Sequence, residues 1–473
     1  MCASYSAPSA RGRGAARLAA ATLASGLVAA SVLATAGPAA ADGTPQSQGG
    51  ATATMGGLKT YGTAVLHENG ENYQLSAGLF EMSVDGGGTL QTYCVDIHNP
   101  TQRDAKYRET PWSGTSLGTN KDAGKIRWVL QNSYPQVNDL AALAAKAGVG
   151  NLTEQDAAAG TQVAIWRLSD GADVDAVDPE AEKLADYLRR SARDLPEPRA
   201  SLTLDPPAVS GHPGQRLGPV TVHTGASSVT LSPPPDAATS GVRIVGKDGR
   251  PVTSATDGSQ VFFEVPKDAA HAASSGAGEA QLTAQASTTV PVGRAFTSDN
   301  RSQTQILAGS SESTVAATAT AAWAEKGAIP ALSAAKDCAK GGVDITAVNK
   351  GDEAFSFELM GIRHSVAAGA SGKVLIPLEE DQAYDFTING PGGYGQRFAG
   401  VLDCRTRGSA SGTATQTLSE PSPATVGGTA SDVNLADTGG GGSTPLIAAM
   451  GLSLLVLGVT ALSIVRKKKT TQD

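Results

Sequence analysis

The chain has 473 residues and a formal net charge of −8, with 17% charged and only 4% aromatic residues. The acidic balance, with basic residues scattered except in the tail, argues against a nucleic-acid partner. The six histidines (His67, His98, His212, His223, His271 and His364) lack metal-ligand spacing, so no metal or other cofactor is expected.

Arg11, Arg13 and Arg17 precede an apolar, Ala-rich stretch from Leu18 to Leu33, and Ala39-Ala40-Ala41 stands before Asp42. Positive, apolar and small segments in that order read as a secretory signal peptide over 1–41, cleaved after Ala41. A membrane-spanning helix is the weaker reading, because the run is short and no second span follows closely. Residues 42–54, rich in Gly, Thr, Gln and Ser, read as a flexible leader.

Residues 55–197 have mixed α+β character. Ala77–Val84 and Thr89–Val95 read as strands joined by a turn at Asp85-Gly86-Gly87-Gly88. Helical spacing follows at Gly124–Gln131 (Ile126, Val129, Leu130) and at Leu140–Ala147. Thr153, with Asp156 three residues on, is an N-cap for a helix from Glu154 to Leu168, and Gly171 suits its stop. Asp178-Pro179 opens another helix, with Ala181, Leu184, Ala185 and Leu188 on one face.

Pro196, Pro198, Pro206 and Pro207 mark a change of character. Over 198–328, short alternating stretches (Val220–Val222, Val242–Val245, Val261–Val265, Ala280–Thr283) are divided by turn residues and suggest an Ig-like β-sandwich. A second all-β module is expected over 329–406, with strands at Val343–Thr346, Phe355–Leu359 and Tyr384–Ile388. Residues 407–434, rich in Ser, Thr, Ala, Gly and Pro, read as a disordered, wall-spanning linker. The expected fold is therefore multidomain. An α+β domain is followed by two β-sandwich modules, then the linker and a C-terminal transmembrane helix. Without its two ends the chain keeps roughly 395 residues, which suits two or three domains.

The C-terminus holds Leu435-Ala436-Asp437-Thr438-Gly439, an uncharged stretch over 445–465 long enough to span a bilayer, and the basic tail 466–473 beginning Arg466-Lys467-Lys468-Lys469. Together they resemble a cell-wall sorting signal. The resemblance implies that a sortase cleaves between Thr438 and Gly439 and passes the Thr438 carbonyl to a peptidoglycan or wall-precursor amine. Ala436 stands where proline is commoner, and this alanine form resembles the substrates of actinobacterial housekeeping sortases. The implied location is exported and wall-attached, with a transient membrane anchor.

Of the four cysteines, Cys2 is lost with the signal peptide. Three remain, an odd number for an oxidising compartment. Cys338 and Cys404 bracket one strand-rich segment and are expected to pair, which leaves Cys94 with another fate.

Cys94 lies in Tyr93-Cys94-Val95-Asp96, followed by Asn99-Pro100-Thr101. Gln162 lies in Thr161-Gln162-Val163-Ala164-Ile165-Trp166, closed by Asp170-Gly171. Both blocks resemble motifs of the thioester domains of Gram-positive surface adhesins, the second matching the Thr-Gln-x-Ala pattern completely. The resemblance covers about 55–197. It implies that Cys94 sulfur displaces ammonia from the Gln162 amide and leaves an internal thioester. Ala158, Gln162, Ile165 and Ser169 share a helical face, which points the carboxamide inward. Ile165 and Trp166 read as core packing, and Asp96 as a turn residue.

The implied function is covalent adhesion, in which an amine or hydroxyl on an unidentified partner surface is captured at Gln162. This is one turnover rather than enzymatic catalysis. The alternative is a passive structural wall protein with a reduced, buried Cys94. A cysteine hydrolase using His98 is the third reading, since such partners are usually distant in sequence.

Overall fold

The computed structural model describes residues 46, 48–269, 277–299 and 302–406. The expected signal peptide, wall-spanning linker, sortase motif, transmembrane helix and basic tail lie outside the described residues. Among the described residues, no helix is long and apolar enough to cross a membrane.

The chain begins with a long hairpin, β1 (Thr52–Glu68) and β2 (Glu71–Val84). Asn69 and Gly70 form its two-residue turn, with φ of 55° and 81°. That left-handed pair matches the right-handed twist of the flanking strands. The β3 strand (Thr89–Cys94) returns along β2, β4 (Lys106–Thr110) pairs with the start of β1, and β5 (Val174–Ala176) pairs with its far half.

Between β4 and the end of this region lie α1 (Ala123–Gln131), α2 (Leu140–Ala147), α3 (Glu154–Ser169) and α4 (Pro179–Ser191). The expected capping box is present: Thr153 Oγ1 accepts from the Asp156 N–H at 3.1 Å, and Asp156 Oδ2 accepts from the Thr153 N–H at 2.9 Å. In α4 the face Ala181, Leu184, Ala185 and Leu188 is buried as expected. The α3 helix is buried on nearly every side, from Ala157 through Trp166. Gly160 permits this, because a Cβ there would lie 2.5 Å from the Ala181 carbonyl oxygen of α4.

A β-sandwich follows. Its strands are β6 (Leu202–Asp205), β7 (Ala208–Gly211), β8 (Arg216–Thr224), β9 (Val229–Ser232), β10 (Arg243–Gly246), β11 (Ser254–Ala255), β12 (Gln260–Glu264) and β13 (Ala277–Thr289). One sheet runs β10-β12-β8-β6. The other runs β11-β9-β13-β16-β7, where β16 is Glu312–Ala324. Strands β13 and β16 pair along their whole length, from Ala277↔Ala324 to Thr289↔Glu312.

Between those two strands the chain leaves the sandwich to form β14 (Ala295–Ser298) and β15 (Gln305–Ser310). These strands belong to the first sheet, whose order is β2-β3-β15-β14-β4-β1-β5. Because β1 also pairs with β2, six strands close into a ring, which leaves no open edge among them.

The boundary expected at 198 therefore needs correction. It marks a change of architecture but not of core: one continuous cluster runs from Ala51 to Trp323, and residues 295–310 of the expected 198–328 module complete the 55–197 sheet. The expected flexible leader is also corrected where it is described. Gly50 pairs with Ala316, Thr52 already lies in β1, and Gln46 Nε2 donates to the Leu332 carbonyl at 3.0 Å.

The last module comprises β17 (Pro330–Asp337), β18 (Gly342–Asn349), β19 (Phe355–Leu359), β20 (Ile362–Val366), β21 (Ser371–Pro377), β22 (Ala383–Asn389) and β23 (Gly395–Val401). They form three small sheets, β17-β18-β21, β19-β20 and β22-β23, rather than the two layers of a sandwich. Its separate core includes Leu332, Val343, Ile345, Phe355 and Phe398. The Cys338–Cys404 disulfide is present, closing a separation of 66 residues with Cα atoms 5.1 Å apart. A loop of that size contributes on the order of 4 kcal/mol by the chain-entropy estimate.

Candidate thioester site

Cys94 is the last residue of β3, where the chain leaves the ring, and Gln162 sits in the middle of α3. The turn after Cys94 is shaped by Asp96, whose carboxylate accepts from the His98 N–H at 3.0 Å and from Asn99 Nδ2 at 2.5 Å. This is the turn role expected of it.

The two motif residues meet. The Cys94 N–H donates to Gln162 Oε1 at 3.0 Å, and Gln162 Nε2 donates to the Cys94 carbonyl at 2.9 Å. Only 1% of Cys94 and none of Gln162 is exposed. A buried carboxamide left unpaired costs about 1–3 kcal/mol; here Cys94's own backbone satisfies it and holds it beside the sulfur-bearing residue. Cys94 is the free cysteine among the described residues.

The sulfur has partners of its own. Gln305 Nε2 donates to Cys94 Sγ at 3.3 Å, and Thr101 Oγ1 lies 3.5 Å from it. Burial pushes the Cys94 thiol up to about 12; the hydrogen bonds from Thr101 and Gln305 oppose this, and the charges of Asp96 and Asp170 add to it. Among the described residues these partners include no base. His98 instead faces Glu68, at 3.9 Å, so the hydrolase reading has no proton acceptor on the sulfur.

Three buried carboxyls surround the site. Burial raises Asp96, and burial with the neighbouring Asp96 charge raises Asp170. Asp170 follows α3 and accepts from Ser169 Oγ at 2.6 Å and from the Ile97 N–H at 3.4 Å; Thr406 also hydrogen-bonds to it. Asp403 comes from the last module and accepts from Thr304 Oγ1 at 3.1 Å. Glu380 holds this segment in place by accepting from the Cys404 and Arg405 N–H groups at 2.7 and 2.8 Å. The C-terminal segment thus closes one side of the site.

Burial, with Asp96 and Glu380 nearby, lifts Asp403 from 3.8 to about 7. The folded protein then holds a proton that the unfolded chain has already released. The stability from this group is complete below pH about 4 and lost as pH rises through about 7. Asp403→Asn is expected to flatten this part of the decline in melting temperature between those values. A wild-type and a mutant profile falling in parallel would contradict the assignment.

Ile165 and Trp166 are buried as expected of core residues. Cys338 and Cys404 are bonded to one another. The Leu435–Gly439 motif lies outside the described residues. Gln305 and Asp403 carry no signal in either motif. The one hint of Gln305 is a glutamine heading the buried run Gln305-Ile306-Leu307-Ala308.

Residues 91–194 match the family model described as "Thioester domain", which spans both Cys94 and Gln162. This part of the chain is thus similar to thioester domains. Residues 330–401 match "Bacterial phospholipase C, C-terminal domain", a match confined to the last β module.

Among solved structures, the Bacillus anthracis TIE protein is 16% identical, with a TM-score of 0.26, over 75% of this chain and 64% of that one. This chain therefore spans less than two thirds of that structure. The thioester domain of the Enterococcus faecium TIE86 protein is 17% identical, with a TM-score of 0.27, over 58% of this chain and 97% of that one. No curated protein matched the chain in sequence.

Proposed function

We propose that Cys94 and Gln162 form an internal thioester that captures a nucleophile covalently. The observation that carries this is the reciprocal pair of hydrogen bonds, 3.0 and 2.9 Å, fixing the Gln162 carboxamide on the Cys94 backbone. In formation, the Cys94 sulfur bonds to Gln162 Cδ, the C–N bond breaks, and ammonia leaves with the thiol proton. The Cys94 N–H already faces Oε1, the oxygen that carries negative charge in the tetrahedral intermediate. In capture, an amine or hydroxyl replaces sulfur on Cδ and Cys94 returns to the thiol. Burial shelters the bond from water in the interval.

Each molecule reacts once, so the protein is an adhesive rather than an enzyme. The nucleophile-bearing target is left open by the chemistry, which accepts amines and hydroxyls alike. Export, sortase processing at Thr438 and wall attachment complete the proposal, supported by the order of sequence elements at both ends. Methylamine should add to wild-type protein at Gln162, as mapped on the digested peptide, and not to Cys94→Ala. The same mapping on wall-released protein should find a chain ending at Thr438 with a wall-derived amine. An unmodified Gln162 after methylamine treatment would favour the alternative, a passive wall protein with a reduced Cys94.

A further inference from the structure

Gln305 lies directly opposite Cys94 in the β15–β3 pairing, although the two are 211 residues apart in sequence. Its side chain is fully buried at the head of an apolar run. An amide there is tolerated only when its hydrogen bonds are made. Oε1 accepts from Thr92 Oγ1 at 2.9 Å, while Nε2 donates to Thr101 Oγ1 at 3.1 Å and to Cys94 Sγ at 3.3 Å. Thr92 and Gln305 thus present both amide hydrogens to the sulfur side. Thr101, once it accepts from Gln305, has its own hydroxyl hydrogen free to point at the sulfur.

We infer that Gln305, with Thr101, stabilises the Cys94 sulfur as it leaves Gln162, making it a competent leaving group in a site that water does not reach. The inference rests on the thioester reading and assigns the group that controls its reactivity. A thioester sulfur carries no proton, so only donors stabilise it, and both neighbours are placed to donate. During capture, the amine nitrogen bonds to Gln162 Cδ and the Cδ–Sγ bond breaks with its electron pair going to sulfur. The proton released by the amine ends on that sulfur, so no further reactant is needed. In the buried surroundings of Cys94, a developing thiolate has little solvent to stabilise it. The strand that supplies Gln305 comes from between β13 and β16, so the reactive site is incomplete without a piece of the sandwich.

The test uses the full chain and methylamine, with capture rates followed by intact mass across pH and folding checked by thermal melting. Gln305→Leu keeps the size and removes the donors; its capture should be about 10- to 100-fold slower, the range for losing a hydrogen bond to an ionised group. Gln305→Glu should give a distinctive profile. Its protonated carboxyl still donates, so capture should weaken as pH rises and the carboxylate comes to repel the thiolate. Wild-type capture should instead quicken with pH as methylamine loses its proton. A folded variant that never forms the bond also supports the role, because formation passes charge through the same sulfur.

Rates and pH profiles matching wild type in folded Gln305→Leu and Gln305→Glu would overturn the inference. Should both fail to fold, Thr92→Val releases Oε1 and must slow capture; an unchanged rate there overturns it equally. A wild-type protein with no mass deficit would instead refute the thioester itself, a separate outcome.

Discussion

Glu109→Ala should destabilise the protein by about 3–5 kcal/mol, the range for removing one partner of a buried ion pair. The Glu109 side chain is fully buried in β4, and that of Arg294 is 4% exposed. The Glu109 carboxylate accepts from Arg294 Nε at 2.8 Å, from the Ser201 N–H at 2.9 Å and from the Ala51 N–H at 3.1 Å, and also from the Ser201 hydroxyl. Arg294 continues to Glu197 at 2.6 Å and to the Pro198 carbonyl at 3.1 Å. One carboxylate thus ties together the N-terminal segment, the ring, the start of the sandwich and the approach to β14. Without it the guanidinium and two backbone donors stay buried with fewer partners. Marginal stability makes such a loss large. Glu109→Gln keeps the shape and should cost less. A denaturant midpoint for Glu109→Ala close to that of wild type would show that the network does not hold these segments together.

Cys94→Ala should abolish capture and also lower stability. The thioester would close a separation of 68 residues, much like the 66 of the disulfide. Chain entropy therefore assigns it a similar contribution, on the order of 4 kcal/mol. For a body of this size that corresponds to a drop of several degrees in melting temperature. Wild-type protein opened with methylamine should move the same way without any change of sequence. Equal melting of wild type, opened protein and Cys94→Ala would mean that no cross-link forms.

The part of the site written in local sequence was legible, and the part assembled by topology was not. Thr153 and Asp156 fix the start of α3, and Gly86–Gly88 mark the turn into β3, so Cys94 and Gln162 could be placed on their elements. The Asn69-Gly70 turn was equally visible, yet β1 and the first half of β2 are poor in apolar alternation and went unassigned. Their pairing is sustained by ring closure rather than by a one-sided pattern. The α3 helix hid its facing differently. Buried almost all round, it has no polar stripe to set against an apolar one. Gln305 and Asp403 are brought to Cys94 from distant segments, by sheet order and by a disulfide-held tail. No window of sequence contains those neighbours together. The boundary at 198 was misplaced for the same reason, because composition changes there while the core continues.

The most direct measurement is the intact mass of the purified, untreated wild-type protein. A formed Cys94–Gln162 bond predicts a mass lower than that of the processed chain with its disulfide by one ammonia, with the deficit absent in Cys94→Ala. A wild-type mass with no deficit, under conditions where the protein is folded, would contradict the account.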